Sequence, residues 1–215
     1  MKASPRNFTT SSDGSLTIWV PELDEHYHSI HGAVTESQHV FIDAGLMALN
    51  KEEISILEVG LGTALNARLT LEQKGGRNIH YFALEKFPLN VDEVNEMEAL
   101  GHEMDAKILK VGADKPTVIE NGFTFELSTE DLRNFKTDAP SFDLIYFDAF
   151  APSAQPELWS EEVFQAMYES LLPGGALVTY CAKGVVKRTM KSVGFDIEAL
   201  PGPPRKREMT RAWKR

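Results

Sequence analysis

The chain has 215 residues, 42% of them hydrophobic, which is enough for one sizeable core and too few for two catalytic domains. Its net charge of −10 excludes a protein that coats nucleic acid non-specifically, yet ten of the 22 Lys and Arg residues fall within residues 181–215 against three acidic ones, the composition of a local anion-binding edge. Cys181 is the sole cysteine, so an intrachain disulfide and a multi-cysteine metal site are excluded, and with no apolar leader and no run of about 18 apolar residues a cytoplasmic protein is expected.

In chain order, residues 1–12 are polar and expected to be loose, ending at the turn signal Ser12-Asp13-Gly14-Ser15. Residues 16–20 alternate as a short strand before Pro21. Residues 27–42 are too polar for a simple core element, and their His, Tyr, Ser and Glu side chains suit a pocket wall. His26, His28, His31 and His39 have no recognisable ligand spacing, so packing roles outweigh a metal site and no metal is expected. Residues 42–50 read as a short helix, and residues 1–50 as an appendage packing on a catalytic domain of residues 51–215.

The central stretch follows. Ile56, Leu57 and Val59 form a buried-strand pattern that breaks at Gly60-Leu61-Gly62-Thr63 before a helical pattern over residues 66–73. Strand, tight turn and helix start together make a place where a ligand approaches the backbone and meets unpaired N–H donors. Residues 78–84 are a second buried strand ended by Glu85, and Pro88 is expected to open the next helix. Residues 105–116 give no clear pattern. Asn121-Gly122 between alternating apolar residues predicts a hairpin, with a short helical segment near residues 130–135.

Residues 142–147 then form a central strand that delivers Asp148 at its end. An amphipathic helix over 161–172, a strand over 176–180, a helix over 185–193 and strands over 195–200 and 208–213 complete the series. Alternating strands and helices predict an α/β, Rossmann-like, mostly parallel sheet, and the closing pair of strands adds an antiparallel member. Ligands in such sheets sit at the carboxyl ends of strands, where Glu85 and Asp148 are expected.

The residues beside the glycines discriminate among cofactors. Leu65 stands where a dinucleotide fingerprint needs a third Gly or Ala, and the Gly-Lys-Ser/Thr of a phosphate loop is absent. Glu58 before the turn and Glu85 after the second strand suit a ligand with a cationic amino-acid end and a ribose, whose two hydroxyls one carboxylate can accept. S-adenosylmethionine has that shape.

These motifs carry a family resemblance. The run from Glu58 to Asn66, Glu85-Lys86-Phe87-Pro88, Asp148-Ala149-Phe150-Ala151-Pro152, Pro173-Gly174-Gly175 and Arg205-Lys206-Arg207-Glu208-Met209 resemble the methyltransferase part of the bifunctional tRNA-modifying enzyme MnmC. So does Tyr27-His28-Ser29 with Glu36-Ser37, and the similarity extends over residues 27–209. The resemblance implies a class I methyltransferase fold in a stand-alone form without the flavin-dependent domain. It implies transfer of a methyl group from S-adenosylmethionine to the aminomethyl nitrogen of 5-aminomethyl-2-thiouridine at the tRNA wobble position.

On that basis the cofactor is expected at Glu58, Gly60, Gly62, Thr63, Asn66, Glu85 and Lys86, with Glu130 or Asp131 at the adenine. Asp148 is the expected catalytic residue, and Tyr27, Glu36, Phe150 and Pro152 the expected walls for the base. Lys183, Lys187, Arg188, Arg205, Lys206 and Arg207, with Arg211, are the candidates for holding the anticodon arm. Trp159 and Phe164 are read as core. Two departures from the family pattern stand out. Ala64 replaces a glycine, at a cost of about 1 to 2 kcal/mol if its backbone is left-handed, and Ser128-Thr129-Glu130-Asp131 replaces a Gly-Asp pair. Rival readings are a spermidine-synthase-like aminopropyltransferase, a small-molecule amine methyltransferase and a non-catalytic binding module.

Overall fold

The computed structural model describes residues 6–11, 14–21, 24–27 and 32–215. His28 and His31 of the weighed metal site lie outside the described residues, and among the described residues no cluster of potential metal ligands occurs. Within the N-terminal stretch expected to be loose, residues 7–10 instead pair. β1 (Asn7–Thr10) runs antiparallel to β2 (Leu16–Val20), which pairs with the short β3 (Glu25–His26). Leu16 and Ile18 of β2 turn inward onto Leu89, Val94, Met97 and Ala106, giving the ribbon an apolar seat. Arg6 fastens it further, donating to the carbonyls of Phe87 and Pro88.

A helix expected at residues 42–50 begins earlier, as α1 (Ala33–Ser37), and widens into a π-helical stretch, Gln38–Asp43. Its apolar residues explain the shift, since Val40, Phe41 and Ile42 are all buried in the main core. β4 (Glu53–Val59), α2 (Leu65–Gln73) and β5 (Asn78–Leu84) then follow as the sequence indicates. The next helix, α3 (Val91–Ala99), starts after Pro88, because Asn90 and Glu93 form a capping box that sets its first turn. The unclear stretch holds α4 (Glu103–Leu109).

The Asn-Gly hairpin forms as β6 (Thr117–Glu120) and β7 (Phe123–Ser128), while residues 130–135 contain turns and no helix. β8 (Phe142–Phe147), α5 (Glu161–Ser170), β9 (Leu171–Thr179), α6 (Gly184–Ser192), β10 (Asp196–Pro201) and β11 (Glu208–Trp213) complete the chain.

The strands from β4 onward form one sheet in the order β10-β11-β9-β8-β4-β5-β7-β6. β5, β7, β8 and β9 run parallel to their β4-centred neighbours, β11 is the antiparallel member expected near the end, and β6 adds an antiparallel pair at the far edge. Period-two alternation divides the core. Ile54, Ile56, Tyr81, Phe123, Leu144 and Tyr146 face α2, whereas Leu57, Val59, Ile145 and Phe147 face α5 and α6. Trp159 and Phe164 belong to the second layer, as read from the sequence.

Register brings the chemistry to one edge. Val59 pairs with both Leu84 and Phe147, and Leu84 with Ser128, so four strands end level with one another. Backbone bonds continue past those ends, from Gly60 N–H to Leu84 O, Glu85 N–H to Ser128 O and Asp148 N–H to Val59 O.

Candidate active site

At that level edge lies a cleft of about 700 Å³, floored by the strand ends and roofed by β3, Tyr27 and α1. Gly60 and Gly62 line it with positive φ angles of 87° and 54°. Gly60 has no room for a side chain, since a Cβ there would stand 2.7 Å from the carbonyl oxygen of Asp148. The strand ends therefore approach closely because residue 60 is glycine. Ala64, just before α2, is left-handed at φ 65°, so the strain anticipated for this alanine is present.

Glu85 and Lys86 line the same side. The Glu85 carboxylate accepts from the Gly62 N–H at 3.3 Å and the Phe87 N–H at 2.9 Å, which fixes its plane. Lys86 pairs with Asp131 at 2.6 Å rather than with Glu85. Arg133 also binds Asp131, and together these cations hold its carboxyl well below the usual carboxylate range. Glu130 lines the cleft beside it without taking part in those ion pairs. Phe87 is half exposed, and it and the buried Leu132 both line the cleft.

On the other side, Asp148 reaches into the cleft from the end of β8. Burial pushes its carboxyl up to about 7, with the Glu36 carboxylate adding to the rise and Asn66 and Lys206 opposing it. Tyr27 and Phe150 line the same cleft and meet with ring centroids 5.3 Å apart. Glu36 on α1 pairs at 2.8 Å with Lys206, whose ammonium lies 4.6 Å from the centre of the Tyr180 ring. The Tyr180 hydroxyl in turn donates to the Ala149 carbonyl at 2.8 Å. Lys206 thus faces inward.

Several expected contacts lie elsewhere. Glu58 does not reach the cleft: it shares the sheet face of Ile56, is fully buried under α2, and its oxygens accept from Asn66 and Tyr81 at 2.8 Å each. Burial raises its carboxyl well above the usual range, with the Asn66 and Tyr81 donors opposing the rise and Asp148 adding to it. Thr63 and Asn66 are also buried beneath the floor, and Pro152 lies outside the lining. Lys183, Lys187, Arg188, Arg205 and Arg207 stand beyond it as well. Lys187 pairs with Glu208 at 2.9 Å, and Arg211 with Glu198 at 2.8 Å. Lys183, Lys206 and Lys187 all act electrostatically on Cys181, next to Tyr180 at the cleft edge, against the rise that burial causes in its thiol. Sequence reasoning missed Tyr180 and gave Phe87 no role, although Tyr180 follows β9 directly and obeys the same strand-end rule as Glu85 and Asp148.

Residues 83–215 match the family of S-adenosyl-L-methionine-dependent methyltransferases. The chain belongs to that family. Its sequence is 28% identical over 223 residues to the tRNA 5-methylaminomethyl-2-thiouridine biosynthesis bifunctional protein MnmC of Cupriavidus metallidurans, covering 93% of this chain and 32% of that protein. The chain thus spans about a third of the length of such relatives. The crystal structure of MNMC2 from Aquifex aeolicus superposes with a TM-score of 0.76 at 23% identity, covering all of this chain and 72% of that one. Spermidine synthase from Thermotoga maritima aligns at a TM-score of 0.59 and 16% identity over 99% of this chain and 70% of that one. Both likenesses show the class I methyltransferase fold; at such identity a shared fold does not bring an activity with it.

The methyltransferase cleft fits its family's cofactor on its own chemistry. Gly60 and Gly62 bring backbone without side chains to the cleft wall, and Glu85 offers a carboxylate with fixed orientation. The half-exposed Phe87 ring and the buried Leu132 side chain supply flat and apolar walls for a purine.

Proposed function

We propose that this methyltransferase modifies the aminomethyl nitrogen of 5-aminomethyl-2-thiouridine at the wobble position of tRNA, in the cytoplasm. The observation that carries the reading is Asp148. It is a carboxyl set at a strand end, inside a cleft that the Tyr27 and Phe150 rings also line. The part of the MnmC relatives in tRNA 5-methylaminomethyl-2-thiouridine biosynthesis supports the choice of substrate.

Bound S-adenosylmethionine supplies a methyl group activated by a sulfonium. Gly60 and Gly62 would admit its amino-acid end to the backbone, Glu85 would accept the ribose hydroxyls, and Glu130 is the better partner for adenine because Asp131 is consumed by Lys86 and Arg133. Glu58, Thr63 and Asn66 support that floor from below, and Lys86 acts through Asp131.

The acceptor must present a neutral amine, and an alkylamine with a pKa near 10.4 carries a deficit of about 4 to 5 kcal/mol at pH 7. Asp148 accepts one N–H, points the lone pair and balances the positive charge that grows on nitrogen. Tyr27 and Phe150 hold the pyrimidine ring by stacking. The ion pair with Lys206 compensates the Glu36 carboxylate, which otherwise would stabilise the unreactive ammonium form of the substrate. Lys183, Arg188, Arg205 and Arg207 flank the cleft as contacts for the anticodon arm, whose wobble base can turn outward without breaking a duplex.

The test is single-turnover transfer of labelled methyl to tRNA lacking the modification, followed by nucleoside analysis. Wild type should label 5-methylaminomethyl-2-thiouridine, and Asp148→Ala should lose at least about a hundredfold in rate while still binding cofactor. Intact cofactor binding with no label in tRNA would sink the reading.

A further inference from the structure

Asn66 links the carboxyl in the cleft to the one beneath it. It sits in the first turn of α2 with 1% of its surface exposed. Its Nδ2 donates to Glu58 Oε1 at 2.8 Å and to Asp148 Oδ2 at 2.9 Å. Both amide hydrogens are therefore spent on carboxyl groups from two neighbouring strands.

The rest of the amide is left unsatisfied. Asn66 Oδ1 is buried without a hydrogen-bond partner among the described residues. Leaving a buried acceptor unpaired is unfavourable, and a protein under no further constraint would turn the amide to relieve it. Turning this one would set Oδ1 against Oδ2 of the ionised Asp148 carboxylate, acceptor against acceptor, in the form that has to receive the amine N–H. The orientation is thus held by the two carboxyls at the expense of the carbonyl. Tyr81 completes the arrangement by donating to the second oxygen of Glu58 at 2.8 Å.

We propose that Asn66 is a positioning residue for methyl transfer, anchoring Asp148 by Oδ2 so that Oδ1 is left for the acceptor amine. This role replaces direct contact with the cofactor, which its place beneath the floor does not provide, and it rests on the proposed amine methylation. Because a donor stabilises the ionised carboxyl, Asn66 also extends the pH range in which Asp148 can accept an N–H. Glu36 on α1 and Lys206 between β10 and β11 also act on this group, Asp148 acts in turn on Glu58 below it, on Tyr81 of β5 and on Tyr180 after β9, and all of these remain when Asn66 alone is changed.

The experiment compares wild type with Asn66→Ala and Asn66→Ser, the latter keeping a polar side chain in the helix start. Carboxyl-labelled aspartate followed by NMR, with the signal assigned by its loss in Asp148→Asn, gives the titration midpoint of Asp148. Single-turnover methyl transfer to tRNA gives the rate from pH 6 to 9, and calorimetry gives the affinity for S-adenosylmethionine. In a variant shown to be folded, the midpoint should rise by about one unit, and the rate at pH 7 should fall at least tenfold and partly recover at pH 9. Cofactor affinity should change less than threefold. A folded variant whose midpoint and rate match wild type, or whose only change is weaker cofactor binding, overturns the role. If wild type itself labels no tRNA, the proposed substrate fails while the NMR midpoint still decides whether Asn66 governs Asp148.

Discussion

Asp148 holds its carboxyl near 7 in the folded chain, against about 3.9 for an unstructured aspartate. A carboxyl raised in this way makes the folded state the better proton binder, so its stabilising contribution is complete below about pH 4 and is lost as pH rises toward 7 and beyond. Asp148→Asn should therefore raise stability relative to wild type at pH 8, by an order of about 1 to 3 kcal/mol, and the gain should shrink toward pH 5. Urea unfolding at the two pH values measures it; an equal gain at both would show that ionisation is not the cause. The two backbone exceptions nearby differ in a second way. Gly60→Ala adds left-handed strain of about 1 to 2 kcal/mol and drives a Cβ into the Asp148 carbonyl, so cofactor affinity as well as stability should fall. Ala64→Gly relieves similar strain but removes a buried methyl worth about 0.8 kcal/mol and adds freedom to the unfolded chain. Those effects nearly cancel, and denaturant unfolding should find a change below about 1 kcal/mol.

Among the elements, the N-terminal ribbon has the closest tie to the acceptor side of the cleft. It packs through Leu16 and Ile18 onto α3 and α4, and its chain continues into Tyr27, whose N–H bonds the Ile18 carbonyl at 2.9 Å. We propose that residues 1–50 serve residues 51–215 as a roof that completes the acceptor site. Ile18→Ala should cost about 2 to 5 kcal/mol of ribbon packing because that side chain is fully buried. Its effect on function should be uneven, with a raised KM for tRNA and little change in cofactor affinity, read by steady-state kinetics and calorimetry. Equal loss of both would assign the ribbon a general stabilising part instead.

For the molecule as a whole, charge is divided between an acidic body and a basic end. Lys183, Arg188, Arg205 and Arg207 stand outside the cleft lining, which leaves them to phosphate contacts along an arm of the proposed tRNA substrate. Replacing Arg205 and Arg207 with Gln should weaken tRNA binding and reduce the slope of log affinity against log salt by about 0.7 to 0.9 for each phosphate that is no longer neutralised. An unchanged slope in a filter-binding series would remove them from the interface. Lys206→Gln should behave differently, because its ammonium is engaged with Glu36 and Tyr180 inside the cleft. Its loss should slow transfer more than it alters the salt slope.

Amino-acid order alone determined the strand-helix alternation, the glycine turn, and the residues that follow strand ends. Buried strands read as apolar runs, and the first polar residue after each one, Glu85 or Asp148, must emerge at the sheet edge. The same period-two logic could have put Glu58 under α2, since it lies two residues after Ile56; its place next to the glycines concealed that. The ribbon at β1, the early start of α1 and the inward turn of Lys206 were decided only by tertiary structure. Each depends on partners far along the chain, Arg6 on Phe87, Phe41 on Tyr146 and Lys206 on Glu36, and local propensity carries no record of them. The Asn66 bridge belongs to the same class. One side chain reaches two carboxyls only because β4 and β8 are neighbours in the sheet, and that adjacency is a property of the fold.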